Sequence, residues 1–179
     1  MSWIQTFSGQ KFDLLDPQPD MVHLDDIAHA LSLICRFTGH TTRFYSVAQH
    51  SLFVSRIVPP RLAFEGLMHD AAEAYVGDVS SPLKSLLPDY KLIEQRIWRV
   101  IADKYSIPHI LSTAVKHADL VALMTERRDI LREGNHLWDA GLEAIVPDAQ
   151  RVVPISANAA EWGFRRLARS LMEERAVSV

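Results

Sequence analysis

From residue 25 to residue 174, apolar residues return at helical spacing in one block after another, and prolines stand at several of the joints. That pattern restricts the chain to helix-on-helix packing. Ile27, Leu31, Ile34 and Cys35 mark a first helix, which Asp25 or Asp26 can cap and which is expected to run to about 36. Val47, Leu52, Phe53 and Ile57 share one face over 45–57, and Pro59-Pro60 ends that helix and restarts the chain into another over about 61–75. Beyond Gly77 the sequence predicts a loop through Pro82, a short turn over 83–87 and, behind Pro88, a regular amphipathic stretch with Leu92, Ile93, Ile97, Val100 and Ile101. Ser112 or Thr113 opens a further long helix containing Val115, Ala118, Leu120, Val121, Leu123 and Met124. Periodicity weakens over 134–154, and a last helix is expected from about 157 to 174.

Strand signal is nearly absent. Only residues 3–15 alternate, with Ser8-Gly9 placed as a turn between Thr6-Phe7 and Lys11-Phe12, so a short N-terminal β-hairpin is expected. A chain of 179 residues, 48% hydrophobic, can bury one substantial core. The expected architecture is all-α, a compact irregular helical bundle forming one domain over 1–179.

Lys and Arg number 19 against 22 Asp and Glu, with no block of like charge, so nucleic acid is not an expected partner. Apolar stretches such as 28–35 are broken by His or Ser well short of the roughly 18 residues a membrane span requires. The start lacks the basic and apolar regions of a secretory signal, and a cytoplasmic protein without membrane contact is expected. Cys35 is the only cysteine, so a metal site must draw on His and carboxylates. Its neighbours Leu33, Ile34 and Phe37 predict a buried structural thiol.

The segment 64–75 is apolar except where it carries Glu65, His69, Asp70 and Glu73, with Glu73 one helical turn beyond His69. Burying an imidazole beside carboxylates is costly unless something compensates them, and a divalent cation would. His50 on the preceding helix and Asp119 on the long helix after the loop can both point toward the His69-Asp70 pair. Two imidazoles and two carboxylates suit Co, Mn, Mg, Zn, Ni or Fe. A lone His-Asp pair in a helix is common without any metal.

The order His50, then His69-Asp70, then Asp119 resembles the HD-domain metal-dependent phosphohydrolases. His69-Asp70-Ala71-Ala72-Glu73 and Gly77-Asp78-Val79-Ser80-Ser81-Pro82-Leu83-Lys84 are similar to the small bacterial 5'-deoxynucleotidase branch of that superfamily. Arg36-Phe37, Ala48-Gln49-His50-Ser51 and Thr125-Glu126-Arg127-Arg128-Asp129 extend the resemblance over roughly 1–130. It implies that His50, His69, Asp70 and Asp119 hold one divalent cation, which would activate water and polarise a phosphoryl oxygen. It further implies that Glu73 and Asp78 handle protons and position water, and that Arg36 and Phe37 contact a nucleotide. Phe37 stands where a better-known relative has Trp. His40 and Lys84 are candidates to meet phosphate.

Plainer readings stand beside these. Glu73 can be a carboxylate on a solvated helix face, Asp78 a turn residue behind Gly77, Phe37 a core aromatic, and His40 and Lys84 surface residues. His117, two residues before Asp119, is expected to face away from the site. The leading expectation is phosphate removal from (deoxy)nucleoside 5'-monophosphates. A deoxynucleoside triphosphate triphosphohydrolase would use extra cations, for which Arg43, Arg127 and Arg128 are available alongside Arg36 and Lys84. A non-catalytic metal-binding module is the third reading. The apolar helix faces are compatible with a homodimer as well as with ordinary core burial.

Overall fold

The computed structural model describes residues 1–177. Two short strands open the chain: β1 (Trp3–Gln5) pairs antiparallel with β2 (Lys11–Asp13), Ile4 opposite Phe12. Gly9 takes the positive φ of 82° that the turn requires. The Ser8 amide and hydroxyl donate to the Asp26 carboxylate at 2.6 and 2.9 Å, which ties the hairpin to the helix behind it. Phe12 is fully buried and stacks on Tyr75 at 3.7 Å between ring centres. The expected hairpin is therefore present, and its one buried face explains why so short a sheet holds.

Helices follow: α1 (Leu24–Leu33), α2 (Val47–Ile57), α3 (Ala63–Met68), α4 (Glu73–Val76), α5 (Ser81–Lys84), α6 (Pro88–Tyr105), α7 (Thr113–Ile130), α8 (Ala140–Glu143) and α9 (Ala157–Val177). Local chemistry sets several boundaries. The Ser46 hydroxyl caps α2 by accepting from the Gln49 amide, and the Ser112 hydroxyl caps α7 by accepting from the Val115 amide. Prolines start α6 and lie in the first turn of α5.

Three expectations need correction. The first helix stops at Leu33 rather than near 36, because the backbone of 34–36 turns away to pair with the segment before α2. The Arg36 amide donates to the Tyr45 carbonyl and the Val47 amide to the Ile34 carbonyl, both at 3.0 Å, around a Cys35–Ser46 bridge. That pairing draws Cys35 to a half-buried edge with Leu33 exposed, so the thiol is not in the core. The helix expected over 61–75 is broken at 69–72. There the Ala71 amide reaches back to Met68 and the Glu73 amide to Asp70, three residues rather than four, so Asp70 and Glu73 stack on one side of a tightened turn.

The larger core gathers Phe12, Val22, Ile27 and Leu31 with Leu67, Met68, Ile97, Ile101 and Phe164, and a smaller one gathers Tyr45, Phe53, Val54, Val115, Ala118 and Ile130. Helix α2 serves both, through Val47 and Ala48 on one side and Phe53 and Val54 on the other. α3 approaches α2 closely at Gly66, where a β-carbon would stand 3.1 Å from Val58 and 3.3 Å from the Ser55 backbone. α9 packs on α1, α2 and α3, burying Ala160, Phe164 and Ala168. No helix among the described residues is long and apolar enough to cross a membrane.

Candidate metal centre

His50 projects from α2, His69 and Asp70 from the tightened turn after α3, and Asp119 from α7, so three separate elements converge. His50 Nε2 lies 3.3 Å from His69 Nε2, 3.0 Å from Asp119 Oδ1 and 3.6 Å from Asp70 Oδ2. His69 Nε2 lies 3.1 Å from the same Asp70 oxygen and 3.9 Å from the same Asp119 oxygen. Donor atoms of His50, His69 and Asp119 all lie within 4.8 Å of one another, a spacing that can hold a metal ion. His117 is exposed, as its position two residues before Asp119 predicts.

The remaining ring nitrogens decide how these imidazoles can be used. His69 Nδ1 faces the Gly66 carbonyl at 2.9 Å and must carry a proton to bond it, while His50 Nδ1 faces Glu126 Oε1 at 2.6 Å. In the neutral tautomers both protons sit on Nδ1, and two Nε2 lone pairs face each other and two carboxylates. That arrangement suits a cation: imidazole nitrogens each about 2.1 Å from one ion leave a separation near the 3.3 Å seen here. Burial and Arg36 disfavour a charged His50, but Glu126 and the hydrogen bonds to Asp119 and Glu126 prevail and push its pKa up to about 10.

Glu126 is the residue that sequence reasoning missed. It is fully buried and accepts from the Tyr45 hydroxyl at 2.9 Å and from Arg36 Nη2 at 3.3 Å in addition to His50. Burial works against its charge, yet His50 and Arg36 hold the carboxyl below its ordinary range. The signal was available, since Glu126 follows Asp119 by seven residues and so returns to the same helix face two turns on.

Arg36 reaches the centre from the bend between α1 and α2, with Nη1 at 3.7 Å from Asp70 Oδ2. Phe37 and Thr38 have left-handed φ of 54° and 53° without being glycine, at a cost on the order of 1 kcal/mol each. The bend sets the Phe37 ring beside the Arg36 guanidinium, 5.4 Å from the ring centre. Glu73 is buried, which removes its reading as a solvated surface carboxylate. Burial, with Asp70 and Asp78 beside it, pushes the Glu73 carboxyl well above its ordinary range, and its Oε2 has no hydrogen-bond partner. Asp78 is half-buried on the loop behind Gly77, and burial raises its pKa as well. Lys84 Nζ bonds Glu94 at 2.7 Å and stands 3.6 Å from Glu73.

Two cavities meet at this cluster and share Asp70, Glu73 and Lys84. One, of about 860 Å³, runs toward Trp98 and Arg99 on α6. The other, of about 700 Å³, takes in Arg36, Phe37, Asp78 and Asp119 and is also lined by Trp138 and Leu142, from the region of weakened periodicity. His40 is exposed and lines neither cavity. Of the spare cations, Arg43 is exposed, Arg127 bonds Glu143, and Arg128 bonds Asp129 and the carbonyls of Asp148 and Gln150. None of the three lines either cavity.

No protein-family model matches the chain. Over 176 residues, 98% of each chain, it is 47% identical to the uncharacterized protein YfdR of Escherichia coli (strain K12). The chain belongs to the YfdR family. An uncharacterized protein of Rhodobacter capsulatus is 33% identical over 143 residues, 72% of this chain and 73% of the relative. A more distant similarity, 26% over 132 residues, connects the YfdR-like chain to a protein of Vibrio atlanticus named 5'-deoxynucleotidase, covering 63% of this chain and 61% of that one.

Proposed function

We propose that the chain is a metal-dependent phosphohydrolase that removes phosphate from (deoxy)nucleoside 5'-monophosphates. The observation that carries this reading is the convergence of His50, His69, Asp70 and Asp119 on one point at the edge of a cavity that also holds a buried, partly unpaired Glu73. The distant similarity to a 5'-deoxynucleotidase supports the nucleotide part of the reading. The four side chains would hold the cation, which supplies Lewis acidity toward a phosphoryl oxygen and a water.

The chain's own groups account for the rest. Arg36, half-buried and held by Glu126, presents a charge whose planar donors suit phosphate oxygens, and its Nε has no partner within the protein. Glu73, with its raised pKa, is suited to take a proton from the attacking water and to return one to the leaving ester oxygen. Asp78 shares the cavity and can orient that water. Lys84, 3.6 Å from Glu73, sets the electrostatics of that carboxyl and can offset charge on the departing phosphate.

The test is product analysis on protein stripped of metal and reloaded separately with Co, Mn, Mg, Zn, Ni or Fe. Orthophosphate from deoxynucleoside monophosphates, absent in Asp70→Ala, is expected. Tripolyphosphate from triphosphates would replace the proposed substrate. Tight metal binding without any product would overturn catalysis itself.

A further inference from the structure

The second cavity is lined by two kinds of surface. Arg36, Asp70, Glu73 and Asp119 supply charge; Phe37, Leu120, Leu123, Trp138 and Leu142 supply apolar area. Helix α7 carries Asp119, Leu120 and Leu123 among them. Leu123 stands one turn beyond Asp119, about 6 Å along the axis, and Arg127 a further turn on, at about 12 Å. Arg127 carries the aromatic wall. Its guanidinium lies 4.5 Å from the centre of the Trp138 ring, and its Nη1 bonds Glu143 Oε1 at 2.6 Å. The same oxygen accepts the Trp138 amide at 2.8 Å, so backbone and ring are held by one carboxylate and one cation.

We propose that Trp138, clamped by Arg127 and Glu143, is the stacking wall for the nucleobase, making residues 138–143 a specificity-determining part of the site. The inference rests on the phosphohydrolase reading of the centre. A ligand with its phosphate at Arg36 and the candidate metal donors and a flat ring at Trp138 would run past Leu123 and Phe37, apolar residues that line the same cavity. A stacking wall favours purines over pyrimidines only through ring area, because every base has a π-face. The wall therefore accepts nucleotides broadly and disfavours sugar phosphates that lack a base.

Two measurements test this. The first is equilibrium titration of deoxyadenosine 5'-monophosphate into metal-loaded Glu73→Gln protein, read by calorimetry and by tryptophan emission. Adding Trp138→Ala to that background should weaken binding roughly tenfold to a hundredfold and abolish the emission change, while Trp138→Phe recovers most of the affinity. The second compares Trp138→Ala with the parent enzyme on this nucleotide and on deoxyribose 5-phosphate, and the loss in kcat/KM should be at least tenfold larger for the nucleotide. Equal losses on the two substrates, or unchanged nucleotide affinity with Ala at 138, would overturn the proposal. Should the parent hydrolyse no phosphomonoester, the catalytic reading fails alone and the titration still decides whether a base sits on Trp138.

Discussion

The two sides of the candidate metal centre are held by different means. On the side of α2 and α7, His50 and Glu126 are fully buried, and Glu126 answers three donors at once, from His50, Tyr45 and Arg36. On the side of residues 138–143, the Trp138 ring rests on a single guanidinium and its amide on a single carboxylate. In a water-poor network, removing one member leaves the others charged and unpaired; at a half-buried wall, water replaces what is lost. The buried side fixes donor geometry, and the half-buried wall depends on fewer contacts.

The sharpest way to break this contrast is Glu126→Ala. It takes the shared buried carboxylate from Arg36 and His50, leaving them only Asp70 and Asp119 on the cavity side, and the expected loss is about 3–5 kcal/mol, or roughly 10 °C in Tm for a chain of this size. A drop of only a degree or two by calorimetry would place the network among ordinary surface contacts. Glu126→Gln is gentler, since it keeps shape and one acceptor but loses the charge that orients His50. Metal affinity, measured by chelator competition, should fall about 10- to 100-fold while the fold survives. Affinity equal to that of the parent protein would mean that His50 needs no help from behind. On the exposed side, Glu143→Gln should leave thermal unfolding close to the parent and raise nucleotide KM only a few-fold. A large thermal shift there would erase the distinction.

The same contrast explains what could be read from sequence. Helices α2, α6, α7 and α9 were legible because prolines and capping serines bound apolar patterns that one face buries. The end of α1 and the break at 69–72 were not, because each depends on a partner distant in sequence or on packing from both sides: 34–36 pairs with 45–47, and Ala71 and Ala72 are both buried. At the centre, the four candidate donors stood out through their resemblance to a known order of His and Asp. Glu126 followed a readable seven-residue spacing that was not used. Trp138 was not legible, since the periodicity around it is weak and its place on the cavity wall depends on the distant Arg127 that holds its ring.

Gly66 supplies a carbonyl to His69, and the lack of a β-carbon there lets α3 come close to α2. His50 rides on one of those helices and His69 just beyond the other. The gap between the two imidazoles is thus gauged by an absent methyl group several residues away. Ala at this position would ask Val58 or the Ser55 backbone to give by a few tenths of an ångström, a strain placed between the helix that carries His50 and the one that leads to His69.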